Sequence, residues 1–106
     1  MTDMTIAKTI LQQLGGNKFV VMTGAKSLCG GENYLSFRIP GTMTRDRINY
    51  VKITLNSMDL YDVEYGVIRG AQYKQLTRSE GIYDDILRKD FEKTTGLRTS
   101  LTGIAA

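Results

Sequence analysis

The fold is decided by residues 49–65, which read NYVKITLNSMDLYDVEY. In the first half of this stretch apolar side chains alternate with polar ones, the period of two expected of a strand with one buried and one exposed face. Residues 56–59 (Asn-Ser-Met-Asp) have turn chemistry, and the alternation resumes at 60–65. We therefore predict a β-hairpin at the centre of an antiparallel sheet.

Three other segments have strand patterns. Residues 34–39 (YLSFRI) alternate cleanly, whereas residues 18–23 (KFVVMT) are apolar on both faces and indicate an interior or covered strand. Residues 67–77 (VIRGAQYKQLT) show a weaker pattern, in which Gly70 predicts a bulge or bend. The glycine-rich residues 24–33 are predicted to form a flexible loop.

Helices are predicted at both ends of the chain. Near the amino end, Ile6, Ile10 and Leu14 recur at the spacing of one helix face, and Gly15-Gly16 then ends the helix. The second helix has an apolar stripe, formed by Ile82, Tyr83, Ile86, Leu87 and Phe91. Its acidic residues, Asp84 and Asp85, lie in the first turn, and its basic residues, Arg88, Lys89 and Lys93, follow them. The helix dipole favours this order of charges. Gly96 fits its cap position.

These elements define an α+β fold. The predicted order is one helix, about five antiparallel strands and a second helix, with both helices packed on the apolar face of the sheet. The opposite sheet face is then left open. With 106 residues, the chain is the size of one domain, and we interpret 1–106 as a single domain.

Composition excludes several classes of protein. Hydrophobic residues make up 42% and charged residues 24%, as in ordinary globular proteins. No apolar run approaches the ~20 residues of a membrane span, and the first ten residues lack a signal-peptide pattern, so we expect a cytoplasmic protein. The chain contains one cysteine and no histidine, which removes an internal disulfide and any His-based triad. We predict no enzymatic activity, no cofactor and no metal.

Three local features resemble chemical sites only weakly. Residues 24–27 (Gly-Ala-Lys-Ser) match the end of a phosphate-binding loop, but no suitable helix start follows them. Cys29 has no histidine to activate it, and the acids Asp59, Asp62 and Glu64 are more typical of a solvated hairpin than of a metal site. We therefore interpret residues 24–27 as a plain loop, Cys29 as an incidental thiol and the three acids as part of a solvated hairpin edge.

The outward side of the predicted sheet carries the most informative group of residues. Tyrosines lie beside cations there, a composition found both in protein-binding hot spots and in single-stranded nucleic-acid sites, although an ordinary solvated face has it too. The candidate partner-binding residues are Tyr34, Arg38, Tyr50, Lys52, Arg69 and Tyr73, extended by Arg45 and Arg47 of the polar turn at 41–47. The net charge of +3 is mild and unevenly distributed, unlike that of a uniformly basic nucleic-acid binder.

Two groups of motifs resemble a known family. Residues 14–19 (LGGNKF) run on to 22–26 (MTGAK), and residues 80–83 (EGIY) are followed by 95–97 (TGL) and 99–101 (TSL). Together they resemble a family of small, largely uncharacterised proteins encoded by phages, prophages and plasmids. The resemblance extends from residue 6 to residue 101 and is strongest at the two ends. It implies a mobile-element origin, and no catalytic residues come with it.

The function that this resemblance implies is inhibition of a host system. Small phage proteins outside the virion are often inhibitors of this kind, anti-CRISPR proteins among them, or accessory factors for the phage's own DNA. We therefore expect a non-enzymatic protein that occludes a host protein complex. The alternative is a nucleic-acid-binding accessory protein using the same tyrosine-bearing face. An enzyme ranks third, because the chain has no histidine and no motif in a suitable context. A homodimer that buries this face is the alternative to a foreign partner.

Overall fold

The fold is α+β, as predicted, and the computed structural model describes residues 4–97. Its elements in chain order are α1 (Thr5–Leu14), α2 (Asn17–Thr23), β1 (Lys26–Gly30), β2 (Tyr34–Arg38), two 3-10 turns (Gly41–Met43 and Arg45–Arg47), β3 (Tyr50–Leu55), β4 (Tyr61–Arg69), β5 (Gln72–Ile82) and α3 (Leu87–Thr95). All neighbouring strands are antiparallel, and the strand order in the sheet is β1-β2-β3-β4-β5. The described sheet is therefore a five-stranded meander.

The central hairpin predicted at 49–65 is confirmed as β3 and the first part of β4. Leu55 pairs with Tyr61 at the turn end of the ladder. The Asn56 side chain closes that turn, because its Oδ1 accepts the backbone N–H of Met58 at 2.8 Å and that of Leu60 at 3.2 Å. An asparagine that bonds the backbone after it is a common way to fix a turn.

The predicted strand at 18–23 is wrong, because these residues form α2. Phe19 and Thr23 lie four positions apart and are both buried, while Val21 on the other side of the helix is 72% exposed. A short apolar run fits either a strand or one helix face. The helix is the outcome here because it turns Phe19 into the core, where its ring packs edge-on against Phe91.

The predicted loop at 24–33 is also wrong, because half of it, Lys26–Gly30, forms β1. Gly24 ends α2 in the left-handed conformation, with φ of 72°, and the chain then pairs with β2 as Gly30 faces Leu35. A Cβ at Gly30 would lie 2.8 Å from the Cβ of Ala7 on α1. Here glycine permits close packing of helix on strand.

The strand predicted at 67–77 is divided differently by the structure. Residues up to Arg69 continue β4, and Gly70 forms the turn with φ of 59° instead of a bend within a strand. Arg69 pairs directly with Gln72, so the turn contains only two residues. A glycine at a position with positive φ is the usual solution for so tight a hairpin. Strand β5 then continues to Ile82.

Helix α3 begins later than the sequence pattern predicts. Ile82 ends β5, and the side chain of Tyr83 is 63% exposed, so neither belongs to the buried helix stripe. Asp84 and Asp85, predicted in the first turn, precede the helix, which begins at Leu87. The helix begins later because Ile82 pairs with Tyr61 of β4 as the last residue of β5.

The core lies on one face of the sheet and is covered by the three helices found within residues 4–97. The predicted packing of the first and last helices on this face is confirmed for α1 and α3, and α2 is an addition to it. Its centre is aromatic: the rings of Phe37 and Phe91 each contact Phe19, with centroid distances of 5.2 Å. Tyr65 of β4 is fully buried, and its hydroxyl donates to Asp90 Oδ2 on α3 at 2.7 Å. Burial raises the pKa of Tyr65, and the bond to Asp90 raises it further.

Candidate partner-binding face

The sheet face opposite the helices, called the open face below, carries Cys29 of β1 and alternate residues of β2 to β5. On β2 and β3 the register puts Arg38 beside Tyr50 and Ser36 beside Lys52. Their neighbours in the sequence, such as Phe37, are buried in the core, so these side chains point away from the helices. The open face comprises Cys29, Tyr34, Ser36, Arg38, Tyr50, Lys52, Asp62, Glu64, Tyr73 and Arg78.

An aromatic pair forms the centre of the open face. The rings of Tyr50 and Tyr73 meet edge to face, with centroids 5.2 Å apart. The Tyr73 ring lies over Gly66 of β4, where a Cβ would come within 2.5 Å of its Cε1. Tyr73 also donates its hydroxyl to Glu64 Oε2 at 2.5 Å. Burial and the Glu64 carboxylate both raise the pKa of the Tyr73 hydroxyl.

Two cations on β2 and β3 lie next to this pair. The Lys52 ammonium is 4.6 Å from the centroid of the Tyr34 ring, a cation–π contact worth about 0.5–1 kcal/mol at exposed sites. Arg38 is half-buried, and its Nε is buried without a hydrogen-bond acceptor in the described part of the chain. A buried donor of this kind costs about 1–3 kcal/mol while it stays unpaired.

The β4–β5 side of the open face is acidic, and one arginine forms ion pairs with its carboxylates. Arg78 lies 3.6 Å from Asp62, 3.9 Å from Glu64 and 3.2 Å from Glu80. The predicted acids Asp62 and Glu64 therefore do share one strand face, while Asp59 is exposed in the turn. Among residues 4–97 no three His, Cys, Asp or Glu side chains group as a metal site.

The three remaining candidate arginines lie elsewhere. Arg45 packs against the end of α3, since a Cβ at the left-handed cap residue Gly96 would meet its Cγ at 3.4 Å. A cation is favoured there by the helix dipole. Arg47 and Arg69 line a cavity between the 3-10 turns and β4. The structure thus brings five of the eight predicted residues together on the open face, and of the other three Arg69 lines a smaller cavity with one of those five, Tyr73.

The positions of two groups on the open face were not predicted from the sequence. Cys29, predicted in a loop, is an exposed thiol on β1 opposite Ser36. Arg78 was not singled out because its role depends on facing Glu64 across the β4–β5 ladder. Both placements depend on which residues pair across neighbouring strands. The alternation of polar and apolar residues within one strand does not predict that pairing.

The loop motif at residues 24–27 does not form a phosphate-binding loop. Gly24 caps α2, and Lys26 begins a strand, so no helix amino terminus follows the lysine as such a loop requires. Ser27 has φ of 55° beside a register shift in β1. This part of the chain forms a sheet edge.

Comparisons with known proteins leave the function to be argued from this geometry. No protein-family model, no curated protein and no solved structure matches the chain. None of the helices within residues 4–97 is long and apolar enough to cross a membrane.

Proposed function

We propose that this protein is a non-enzymatic binding protein that uses its open face to occlude a protein partner. The observation that carries the proposal is the Tyr50–Tyr73 pair on a hydrogen-bonded sheet, with cations on one side of it and carboxylates on the other. Tyrosine and arginine on a firm surface dominate the binding energy of many protein interfaces. The half-buried Arg38, whose Nε has no acceptor within residues 4–97, also belongs to this face.

The mixed charge favours a protein over a nucleic acid. The Tyr73 ring, which would have to stack on a base, has its hydroxyl bonded to Glu64, and Asp62 lies on the same face. Carboxylates at these positions repel phosphates, whereas a protein surface can present both charges in complementary positions. Nucleic-acid binding keeps one supporting feature, the Lys52–Tyr34 contact.

The nature of the partner rests on the resemblance to phage, prophage and plasmid proteins. On that basis we propose a component of a bacterial defence complex in the host cytoplasm, inhibited in the manner of anti-CRISPR proteins. No catalytic constellation is needed for this function, because occupying a surface suffices. The residues that we propose as contacts are Tyr34, Arg38, Tyr50, Lys52 and Tyr73.

The test is an affinity pull-down from bacterial lysate, treated with nuclease, followed by direct binding measurements on the retained complex. We expect Tyr50→Ala and Tyr73→Ala each to weaken binding by about 2 kcal/mol or more, as hot-spot truncations do. Tyr83→Ala is the matched control, since Tyr83 is an exposed tyrosine outside the strands of the open face. Equal affinity of all three folded variants would refute the proposed contact surface.

Salt dependence separates the two classes of partner. If nucleic acid were the partner, each phosphate contact would steepen the fall in affinity by about 0.9 log unit per log unit of salt on duplex DNA. We expect instead that the retained protein complex survives nuclease and shows a shallow salt response. Retention of nucleic acid alone, lost at high salt, would favour nucleic acid over protein as the partner.

Sedimentation of the free protein tests whether a second copy of the chain covers the open face.

A further inference from the structure

Two adjoining cavities lie where the β4–β5 hairpin extends past the start of β3. The larger, about 810 Å³, lies between the 41–49 segment and β4. The smaller, about 350 Å³, lies beside β5. They share Asp46, Val67 and Arg69, so together they form one groove in the size range of small-molecule sites.

Cations from three separate elements converge on this groove. Arg47 comes from the second 3-10 turn, Arg69 from the end of β4 and Lys74 from β5. Within residues 4–97 none of the three has an ion-pair partner. Among the described residues that line the groove, Asp46 alone carries a carboxylate. Two guanidinium groups in one cavity suit a phosphate, which each can bind through two parallel hydrogen bonds.

The backbone that presents Arg47 is held in an unusual conformation. Asp46 and Arg47 both have positive φ, 53° and 58°, which costs a non-glycine residue about 1–2 kcal/mol. Thr44 fixes the segment by donating its hydroxyl to the Ile48 carbonyl oxygen at 2.7 Å. Gly41 lies so close that a Cβ there would be 2.9 Å from the Arg47 carbonyl oxygen. The turn thus holds Arg47 at the groove.

The smaller cavity adds an apolar surface next to the cations. Val67, Tyr73 and Leu76 line it, and Leu76 remains 37% exposed. A planar ring would bury apolar area there, next to Arg69, which also lines the larger cavity together with Arg47. An apolar surface next to two arginines suits a nucleotide better than a simple anion, which has no ring to place on that surface.

We propose that the groove binds a free mononucleotide, with its phosphate between Arg47 and Arg69 and its base against Val67 and Leu76. None of Tyr34, Arg38, Tyr50 and Lys52 lines the groove, and Tyr73 is the one residue that it shares with the proposed partner contacts. Nucleotide binding does not depend on the proposed inhibition. Asp46 disfavours additional negative charge at the rim of the groove. Ligands with one or two phosphates are therefore expected to bind better than those with three.

The experiment titrates the purified full chain with AMP, ADP, ATP, adenosine and inorganic phosphate, by calorimetry and by amide NMR shifts. We expect AMP or ADP to bind one to one, with shifts centred on Val67 and Arg69. Adenosine and phosphate alone are expected to bind at least tenfold more weakly, because each engages only half of the groove. Arg47→Ala and Arg69→Ala should each weaken nucleotide binding about tenfold or more, the value of one charge-assisted hydrogen bond.

Controls make each outcome decisive. Lys8→Ala removes an exposed cation from α1 and should leave affinity unchanged. If Arg47→Ala fails to fold, Arg69→Gln tests the same phosphate contact at a strand end. Absence of saturable nucleotide binding, or equal losses in Lys8→Ala and Arg69→Ala, would overturn the proposal. It would also fall if a single-stranded oligonucleotide bound tightly with a steep salt dependence and was not displaced by ADP, which would assign the groove to nucleic acid.

Discussion

Two tyrosines of the β4–β5 hairpin show how position decides the role of one residue type. Tyr65 points into the core and Tyr73 onto the open face, and each donates its hydroxyl to a carboxylate, that of Asp90 or Glu64. The bond of Tyr65 joins the sheet to α3, whereas the bond of Tyr73 orients a ring at the surface. Substitutions at the two positions therefore test stability and binding separately.

Tyr65→Phe is expected to change how stability depends on pH. The pKa of Tyr65 is raised above the ordinary value near 10, so its contribution is fully present below about pH 10 and is lost at higher pH, where the unfolded chain ionises first. Each such tyrosine lowers the free energy of unfolding by about 1.4 kcal/mol per pH unit in that range. Removing the hydroxyl should make the fall in the free energy of unfolding with pH shallower by about this amount. Urea unfolding across the alkaline range measures it, and an unchanged slope would contradict the burial of this hydroxyl.

Gly66→Ala is expected to disturb the open face from beneath. The new Cβ would lie 2.5 Å from Tyr73 Cε1 and 2.6 Å from the Lys74 carbonyl oxygen, so both the ring and the backbone of β5 must shift. Overpacking of this kind costs about 1–3 kcal/mol. Thermal unfolding measures the loss, and the Tyr50–Tyr73 contact should be weakened in NMR spectra of the folded variant. Gly70→Ala is the comparison, because a Cβ there has open space although φ is positive.

At the scale of elements, β5 is an edge strand that is protected against pairing with another chain. It carries Lys74, Arg78 and Glu80, and its register with β4 shifts twice. Charges and bulges on an edge are known devices against strand addition. The partner contact is therefore expected on the face of the sheet and not along this edge.

The end of the β4–β5 hairpin depends on Asn49. Its side-chain Nδ2 donates to the Ile68 carbonyl oxygen at 3.0 Å and its Oδ1 accepts the Ile68 N–H at 2.7 Å, so Asn49 continues the ladder beyond the start of β3. Asn49→Ala should cost about 1–2 kcal/mol and speed hydrogen exchange at the Ile68 amide. Asn33→Ala is the control at an exposed turn position. Equal exchange in wild type and Asn49→Ala would show that the hairpin end holds without this residue.

Elements with clean alternation could be predicted from the sequence, and those without it could not. Residues 34–39 and the central hairpin alternate, so both their type and their buried face follow from local pattern. Residues 18–23 are apolar throughout, and only packing of Phe19 against the core decides for a helix. The candidate site behaves the same way: Tyr50 and Lys52 follow from alternation, while the contact of Tyr73 depends on the β4–β5 register.

At the scale of the molecule, the single cysteine reports on the proposed function. Cys29 is exposed on β1, in the same cross-strand row as Lys52. A bulky maleimide at this thiol would project over the open face. The molecule thus carries its own attachment point at the rim of the surface that we propose binds the partner.

Labelling of Cys29 is expected to weaken partner binding at least tenfold, measured by titration of the retained complex with labelled and unlabelled protein. The control is Cys29→Ser combined with Lys8→Cys, which moves the same label to the helical side. That variant should bind as the unlabelled protein does. Full binding after complete labelling of Cys29 would place the partner away from the open face.

The order of the strands in the sheet has a further consequence for how the protein folds. Each strand pairs with the next one along the chain, so every ladder closes a short loop and the search for partners is local. The main contacts that span nearly the whole chain are those of the helices, such as Phe19 with Phe91. We expect the meander to assemble hairpin by hairpin while the chain is being synthesised, with the docking of α3 as the final, rate-determining closure.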